Sequence, residues 1–191
     1  PAGPAADGWV DAYSSGASGM EAKDSVEIDE LKHPIRILEQ RLLPDTGGDG
    51  RRRGAPGALV RIQAVGTAVE FMINSDGNRN PARGVRGGCD GSPAAQWVEQ
   101  AGGGVRSVGQ FHRDTISPGD VMVSVSGGGG GYGPPWERPV EAVLRDVREG
   151  WITAERAADV YAVVLGEDGE VDLAATRQLR EELARWAAEA P

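Results

Sequence analysis

Residues 121–136, VMVSVSGGGGGYGPPW, join an alternating apolar run to five consecutive glycines, which are followed by a tyrosine, a glycine and two prolines. The alternation predicts a β-strand that places Ser124 and Ser126 on its polar face. Glycine adopts a positive φ without steric cost, but it loses more conformational entropy on ordering than any other residue. A run of five glycines therefore indicates that something approaches this backbone closely, either a ligand or another strand.

The glycine run has the backbone N–H groups that can cradle a phosphate. A P-loop, however, requires Gly-Lys-Ser/Thr leading directly into a helix. Here Tyr132, Gly133, Pro134 and Pro135 follow the run, and the next helical pattern begins only near Pro139. The sequence therefore favours close backbone packing or a flexible connection over direct nucleotide binding.

The composition limits both the size of the fold and the class of partner. A chain of 191 residues is long enough for one domain, or one domain with an extension, and its 29 glycines and 12 prolines predict many turns. The formal charge of -9 argues against nucleic acid and against an anionic membrane as partners, because both are bound through clustered Lys and Arg. The arginine triplet 51–53 is the only dense basic group, and its flanking glycines predict a solvated turn.

Cysteine use and hydropathy predict a cytoplasmic location. The single cysteine, Cys89, excludes an intrachain disulfide and is consistent with a reducing compartment. We expect its thiol to be buried or incidental rather than nucleophilic. No apolar run approaches the roughly 18 residues of a membrane-spanning helix, and no signal-peptide pattern opens the chain.

Residues 34–136 are predicted to form a β-rich segment. Strands are expected at 34–43, 58–64 and 67–73, of which the last two are expected to pair as an antiparallel hairpin across Val65 and Gly66. A weaker strand is expected within 105–111, and turns are expected at 44–50, with its glycines in left-handed positions, and at 117–120. The turn-rich block 74–93 is too long for an ordinary hairpin loop and is expected to be functional or disordered.

The two ends of the chain differ from this segment. Residues 1–33 are expected to be an extended, loop-rich lead-in, whose large apolar anchors are Trp9, Val10, Tyr13 and Met20. Residues 137–191 show a period near 3.6 and predict three helices. These helices run from Pro139 to Gly150, from an N-cap at Thr153 through Tyr161 and Val164, and from beyond Asp172 with Leu179, Leu183 and Trp186 on one face. The predicted fold class is therefore α+β.

Composition and spacing do not identify a reaction. The two histidines, His33 and His112, and Cys89 do not have the spacing of a metal site, and neither Gly-x-Ser-x-Gly nor His-Glu-x-x-His occurs. Several aspartates fall in predicted turns and are interpreted as turn caps. These are Asp45, Asp49, Asp76, Asp90, Asp114 and Asp120.

Three segments resemble motifs of the hydantoinase B/5-oxoprolinase family, in the order in which the family has them. Residues 45–57, DTGGDGRRRGAPG, are similar to its Asp-Ser-Gly-Gly-x-Gly-x-x-Arg-Gly-Gly-x-Gly signature, with Thr46 in place of Ser and Ala55 in place of a Gly. Residues 80–91, NPARGVRGGCDG, resemble a segment with Pro and a Gly-Gly pair. Residues 117–165 are similar to the hallmark in which GGGGYG-x-P-x-x-R precedes a helix, a DV-x-x-G and a Y-x-V-V-L. Pro134 stands where Asp is common, and Ala162 stands where Gly is usual.

The resemblance implies the C-terminal part of a B-type subunit, such as that of N-methylhydantoinase. The expected partners are an A-type ATP-binding subunit and the N-terminal part of the B-type subunit. The implied activity is ATP-dependent opening of cyclic amides such as hydantoins or 5-oxoproline. The alternatives are ATP-dependent carboxylation of a ketone, as in acetone and acetophenone carboxylases, or a non-catalytic structural remnant.

The same resemblance places the catalytic groups outside this segment. ATP and a divalent metal are expected elsewhere in the complex, no cofactor or metal is expected here, and the isolated chain is expected to be inactive. The glycine-rich loops are expected to shape a subunit junction or the wall of a cavity. Their residues are Asp45, Gly47, Gly48, Gly50, Gly54, Gly57, Gly87, Gly88, Gly127, Gly128, Gly129, Gly130, Gly131, Tyr132 and Gly133.

Overall fold

The computed structural model describes residues 2–9, 13–16, 19–22, 25–166 and 170–189. Nine strands are present in this part of the chain, together with four α-helices and two short 3₁₀ turns, which confirms the α+β class. The strands are β1 (Tyr13–Gly16), β2 (Gly19–Ala22), β3 (Ile35–Leu42), β4 (Ala58–Ala64), β5 (Val69–Asn74), β6 (Ala95–Glu99), β7 (Val105–Ser107), β8 (Phe111–Ile116) and β9 (Val121–Val125). The helices are α1 (Val26–Lys32), α2 (Val140–Arg148), α3 (Ala154–Asp159) and α4 (Leu173–Glu189), and the 3₁₀ turns are Asp76–Asn78 and Pro135–Glu137.

A five-stranded antiparallel sheet in the order β3-β4-β9-β6-β7 forms the centre of the molecule. The predicted strand β9 is its middle strand and is covered on both faces. Val121 and Val123 pack in one apolar cluster with Leu59, whereas Met122 packs on the opposite face. Because side chains alternate along a strand, Ser124 lies on the same face as Met122.

A second layer, the two-stranded sheet β5–β8, packs on the Met122 face through Val69, Phe71 and Ile73. This layer corrects the predicted hairpin, because β4 pairs with β3 and β9, and β5 pairs with β8 instead. Both edges of β4 are already occupied, so the chain turns at Gly66, where φ is +74°, and leaves the sheet. The prediction also missed β6 and β8.

The lead-in contains more regular structure than its composition predicts. Backbone pairing joins β1 to β2, and α1 follows, with the Ser25 hydroxyl accepting a hydrogen bond from the Ile28 N–H. The prediction of an extended segment is therefore wrong for 26–32. Of the four predicted apolar anchors, Trp9 alone has a side chain within the described residues; those of Val10, Tyr13 and Met20 lie outside them.

The three C-terminal helices are confirmed, with two local corrections. The Thr153 hydroxyl caps α3 by accepting from the Arg156 N–H, as expected, but the helix ends at Asp159, so Tyr161 and Val164 lie beyond it. Ala162 has a φ of +52°, which is incompatible with a continuing helix. On α4, Trp186 is 70% exposed and does not share the packing of Leu179 and Leu183. None of the helices in the described residues has the length and apolar character to cross a membrane.

Candidate functional site

Three glycine-rich segments pack against one another beside the end of β9 and form a compact backbone cluster. We call residues 46–57, 82–92 and 127–133 the glycine core. They are joined by hydrogen bonds between backbone groups rather than by side chains. Examples are Gly48 N to Gly129 O at 2.8 Å, Gly129 N to Ala55 O at 2.9 Å, Ser92 N to Thr46 O at 2.9 Å, Gly131 N to Cys89 O at 2.9 Å and Cys89 N to Asp49 O at 2.7 Å.

The glycine core leaves no room for side chains at most of its glycines. A Cβ on Gly54 would overlap the carbonyl oxygen of Gly129, and a Cβ on Gly128 would overlap that of Thr46. The same holds, against backbone atoms, for Gly47, Gly48, Gly50, Gly57, Gly84, Gly88, Gly91, Gly130 and Gly131. Glycine is therefore needed here because backbones lie in contact. The 127–131 run is approached by the other two loops of the glycine core.

Three of the five N–H groups in the 127–131 run are already used within the chain. The N–H groups of Gly128, Gly129 and Gly131 donate to the carbonyls of Ser92, Ala55 and Cys89. A phosphate would have to displace these bonds, and a buried carbonyl left without a donor is costly.

Left-handed backbone occurs at fewer glycines than expected. In the turn 44–50, Asp45 has a positive φ, of 59°, whereas its glycines do not. Arg86 and Gly87, with φ of 52° and 87°, form a type I′ turn closed by the bond from Gly88 N to Val85 O. Gly133, with φ of 73°, is the other predicted site glycine that requires this conformation. Within the long block 74–93, residues 76–78 form a 3₁₀ turn and residues 82–92 belong to the glycine core.

A buried ion cluster attaches the glycine core to the helices. Arg138, which is 1% exposed, pairs with Asp7 at 2.7 Å and with Asp146 at 2.8 Å. Asp146 also accepts from Arg53 Nε at 3.4 Å. We call these four residues the Asp146 cluster. Arg53 is only 7% exposed, so the predicted solvated turn at 51–53 is wrong for this member of the triplet.

The Asp146 cluster favours the ionised form of Asp7. Burial acts to raise the pKa of Asp7, but the hydrogen bond and positive charge of Arg138 outweigh it, and the pKa lies below its ordinary value. Asp7 Oδ1 also accepts from the Arg53 N–H at 2.9 Å. A single carboxylate therefore connects residues 2–9, the loop 46–57 and the entry to α2.

A second buried pair lies on the side of the glycine core next to α3. Asp49, 1% exposed, accepts hydrogen bonds from Arg156 through Nε, at 3.0 Å, and through Nη2. Burial and the neighbouring Asp49 raise the pKa of the fully buried Tyr161 hydroxyl. Although close, Tyr161 and Asp49 Oδ1 do not reach hydrogen-bond geometry with each other, and both remain without a hydrogen-bond partner. Asp49 is thus an ion-pair residue rather than the predicted turn cap.

The other aspartates differ in role. Asp45 Oδ1 accepts from the Thr153 N–H at 2.8 Å and so fixes the start of α3 against the turn. Asp90 and Asp120 accept backbone N–H groups of nearby turns, as predicted. Asp114 instead lies within β8 and pairs with Arg106, which corrects its assignment to a turn.

A cleft of about 370 Å³ opens between the β5–β8 layer and the central sheet. Ser124, Ser126 and Gly127 line one side, so the polar face of β9 and the first glycine of the run reach it. Gln96, on the neighbouring strand, also lines it and accepts a hydrogen bond from Asn78 at 2.8 Å. These groups donate and accept hydrogen bonds, but they do not form a nucleophile with an adjacent base.

Catalytic and metal-binding groups do not converge in the described residues. No set of three or more His, Cys, Asp or Glu side chains there is arranged to hold a metal ion. The His112 ring lies 3.3 Å from Asp114 at a half-buried position. Burial raises the pKa of the Cys89 thiol, which disfavours the nucleophilic thiolate. The described residues at this site thus form a cluster of glycine backbone and ion pairs, with a polar cleft beside it.

Comparison with known proteins identifies the family of this chain. The model of the family described as hydantoinase B/oxoprolinase matches residues 1–135, which include all three segments of the glycine core. The chain belongs to the hydantoinase B/oxoprolinase family.

Relatives of known name agree with the family assignment. The chain is 30% identical over 185 residues to the caprolactamase subunit beta of Pseudomonas jessenii, covering 94% of this chain and 32% of that protein. It is 25% identical over 199 residues to the acetone carboxylase alpha subunit of Xanthobacter autotrophicus, covering 84% of this chain and 26% of that protein. The crystal structure of the ATP-dependent caprolactamase from P. jessenii matches with a TM-score of 0.71 at 27% identity, covering 85% of this chain and 28% of that chain. The chain thus spans about a third or less of the relatives that it matches.

The structure adds residues that sequence reasoning did not select. Arg138, Asp146 and Tyr161 occur within the family motifs, but the sequence did not predict what surrounds them. Arg156 and Asp7 carried no signal of their own. The predicted glycines and Tyr132 do come together in the glycine core, Asp45 directly precedes it, and Gly127 also lines the cleft. Their contact with a partner subunit stays a prediction.

Proposed function

We propose that this chain is part of a B-type subunit in an ATP-dependent enzyme that opens cyclic amides. The similarity to caprolactamase subunit beta along 94% of the chain, together with the matching caprolactamase fold, is the observation that carries this proposal. Caprolactam is a cyclic amide, as are hydantoins and 5-oxoproline. An amide carbonyl is a poor electrophile, and phosphorylation by ATP makes it a better one.

The chain contributes a rigid wall rather than the reacting groups. Its glycine core is held by backbone hydrogen bonds and by two buried ion clusters, so it provides a surface that does not rearrange. A phosphorylated intermediate needs protection from premature reaction with water while it passes between subunits. We infer that the glycine-rich loops lie at such a junction, and that the A-type ATP-binding subunit and the remaining part of the B-type subunit complete the site.

Reconstitution tests this proposal. The chain is combined with an A-type subunit and with the remaining part of a B-type subunit, and both ATP hydrolysis and loss of caprolactam, hydantoin or 5-oxoproline are measured. We expect turnover that requires all components and no turnover by the isolated chain. Equal turnover when this chain is omitted would instead favour a non-catalytic structural remnant.

Ketone carboxylation is the second candidate, and the similarity to the acetone carboxylase alpha subunit favours it. The two reactions differ in what they incorporate. Amide opening adds water across the C–N bond, whereas carboxylation forms a C–C bond to carbon from bicarbonate. Labelled bicarbonate fixed in the presence of ATP and a ketone, without cyclic-amide turnover, would select carboxylation.

A further inference from the structure

A separate pocket of about 360 Å³ lies where residues 2–9 cross the loop before α3. Its walls combine two tryptophans, an arginine and small apolar groups. The lining residues are Gly8, Trp9, Leu42, Arg53, Pro56 and Trp151. It shares no lining residue with the cleft beside β9.

Arg53, which lines this pocket, has one guanidinium nitrogen without a hydrogen-bond partner in the described residues. Its Nε donates to Asp146 and its Nη1 donates to Gly54 O at 2.8 Å. Within the described residues Nη2 has no hydrogen-bond partner. It is not one of the fully buried unpaired atoms, so it remains accessible. Since Arg53 lines the pocket, Nη2 is available to an acceptor placed there.

The charges around Arg53 favour an uncharged acceptor. In the Asp146 cluster two carboxylates already balance two guanidinium groups. A ligand carboxylate would add a second negative charge close to Asp146 and would lose its hydration without a free counter-charge. A carbonyl oxygen accepts from Nη2 without that cost.

The aromatic walls favour a flat ring. The Arg53 guanidinium lies 5.5 Å from the centroid of the Trp151 ring, and Pro56 is buried beside it. Trp9 also lines the pocket, with 73% of its surface exposed. Stacking on aromatic faces is worth more than the apolar area alone, and it is strongest for planar groups.

We propose that this pocket binds a flat, uncharged ring compound bearing an amide carbonyl. The carbonyl oxygen accepts from Arg53 Nη2, and the ring lies between Trp9 and Trp151. The inference goes beyond the proposed function because this binding requires neither ATP nor an A-type subunit, and it does not make the pocket a reaction site.

Benzamide is the test ligand, and benzoate is its charged counterpart of nearly equal size. Titrations of the ¹⁵N-labelled chain monitor the indole signals of the tryptophans. We expect saturable shifts at Trp9 and Trp151 with a millimolar Kd, as suits a nine-atom ligand, and at least tenfold weaker binding of benzoate. Equal affinity for benzoate, or the absence of saturable shifts at these two indoles up to the solubility limit of benzamide, would overturn the proposal.

Variants separate specific stacking from adventitious contact. Trp9→Ala, at an exposed position, is expected to weaken benzamide binding about tenfold, while Trp186→Ala on the exposed side of α4 leaves it unchanged. Arg53→Lys is expected to abolish the preference for benzamide over benzoate. If circular dichroism shows that the lysine variant does not fold, Trp9→Ala decides: unchanged binding in that variant contradicts the proposal. Because no ATP is present, the result is independent of the reconstituted reaction.

Discussion

Glycine is required in the glycine core for two different physical reasons. At Gly87 and Gly133 the backbone adopts a positive φ, which residues with a Cβ adopt only with strain. At Gly54 and Gly128 the φ is ordinary, but the backbones lie too close for any Cβ. Substitutions at these two classes of position therefore fail for separate reasons.

Gly54→Ala is expected to lower the free energy of unfolding by about 3 kcal/mol, at the upper end for overpacking, because the clash is with backbone that cannot rotate away. Urea unfolding measures the change. Gly102→Ala is the matched control, since an added Cβ there meets nothing within 4 Å, and its effect is expected to stay within about 0.5 kcal/mol. Similar losses in both variants would contradict the close-packing explanation.

Arg86→Gly is expected to stabilise the chain by about 0.5–1 kcal/mol. The exposed Arg86 has a φ of 52°, and relief of that strain, about 1–2 kcal/mol, exceeds the entropy cost of glycine. Arg79→Gly, at an exposed arginine with a φ of -110°, serves as the control and is expected to destabilise. A higher thermal midpoint in the first variant alone supports the turn assignment; a lower one refutes it.

At the scale of elements, buried polar bonds connect the helices to the β-rich body. Asp146, in the last turn of α2, pairs with Arg53, and Asp49 pairs with Arg156 of α3. Arg180 of α4 donates to the backbone carbonyls of Tyr161 and Arg138. Each C-terminal helix is therefore held by a charged side chain whose partner lies outside that helix.

Asp146→Asn is expected to cost about 3 kcal/mol, because two buried guanidinium groups lose their shared counter-charge. Asp159→Asn, an exposed aspartate at the end of α3, is the control and is expected to change stability by less than about 0.5 kcal/mol. Chemical denaturation of both variants at neutral pH compares them. A loss for Asp146→Asn no larger than that of the control would show that the cluster contributes little.

At the scale of the whole molecule, acidic carboxylates with lowered pKa values make stability depend on pH. The lowered group includes Asp7, Glu70, Asp90, Glu99, Asp114 and Asp120. An unfolded carboxyl binds a proton at a higher pH than the folded one. Stability from these groups is therefore present above the unfolded pKa and is lost as the pH falls through the folded pKa.

Asp7→Asn is expected to reduce the loss of unfolding free energy between pH 5 and pH 3. In the folded state Arg138 favours the ionised form of the Asp7 carboxylate and so lowers its pKa. Urea midpoints across this range give the slope for the variant and the parent. Asp7→Glu keeps a carboxylate and is expected to retain part of the slope. An identical acid profile for Asp7→Asn and the parent chain would show that Asp7 does not contribute to the pH dependence of stability.

The sequence by itself determined the local elements and the family. The alternation in 121–125 and the cap at Thr153 depend on neighbouring residues, so β9 and the start of α3 could be predicted. The ordered motifs indicated the hydantoinase B/oxoprolinase family, and the glycine run indicated close approach of backbone.

Tertiary structure alone decided which strands pair and which charges meet. The pairing of β5 with β8 replaces the predicted hairpin because burial of Val69, Phe71 and Ile73 on the central sheet outweighs the short connection after β4. Arg138 and Asp7 are 131 residues apart, and Arg156 and Asp49 are 107 apart. Local periodicity carries no information about contacts over such separations, because they form only when the whole chain packs.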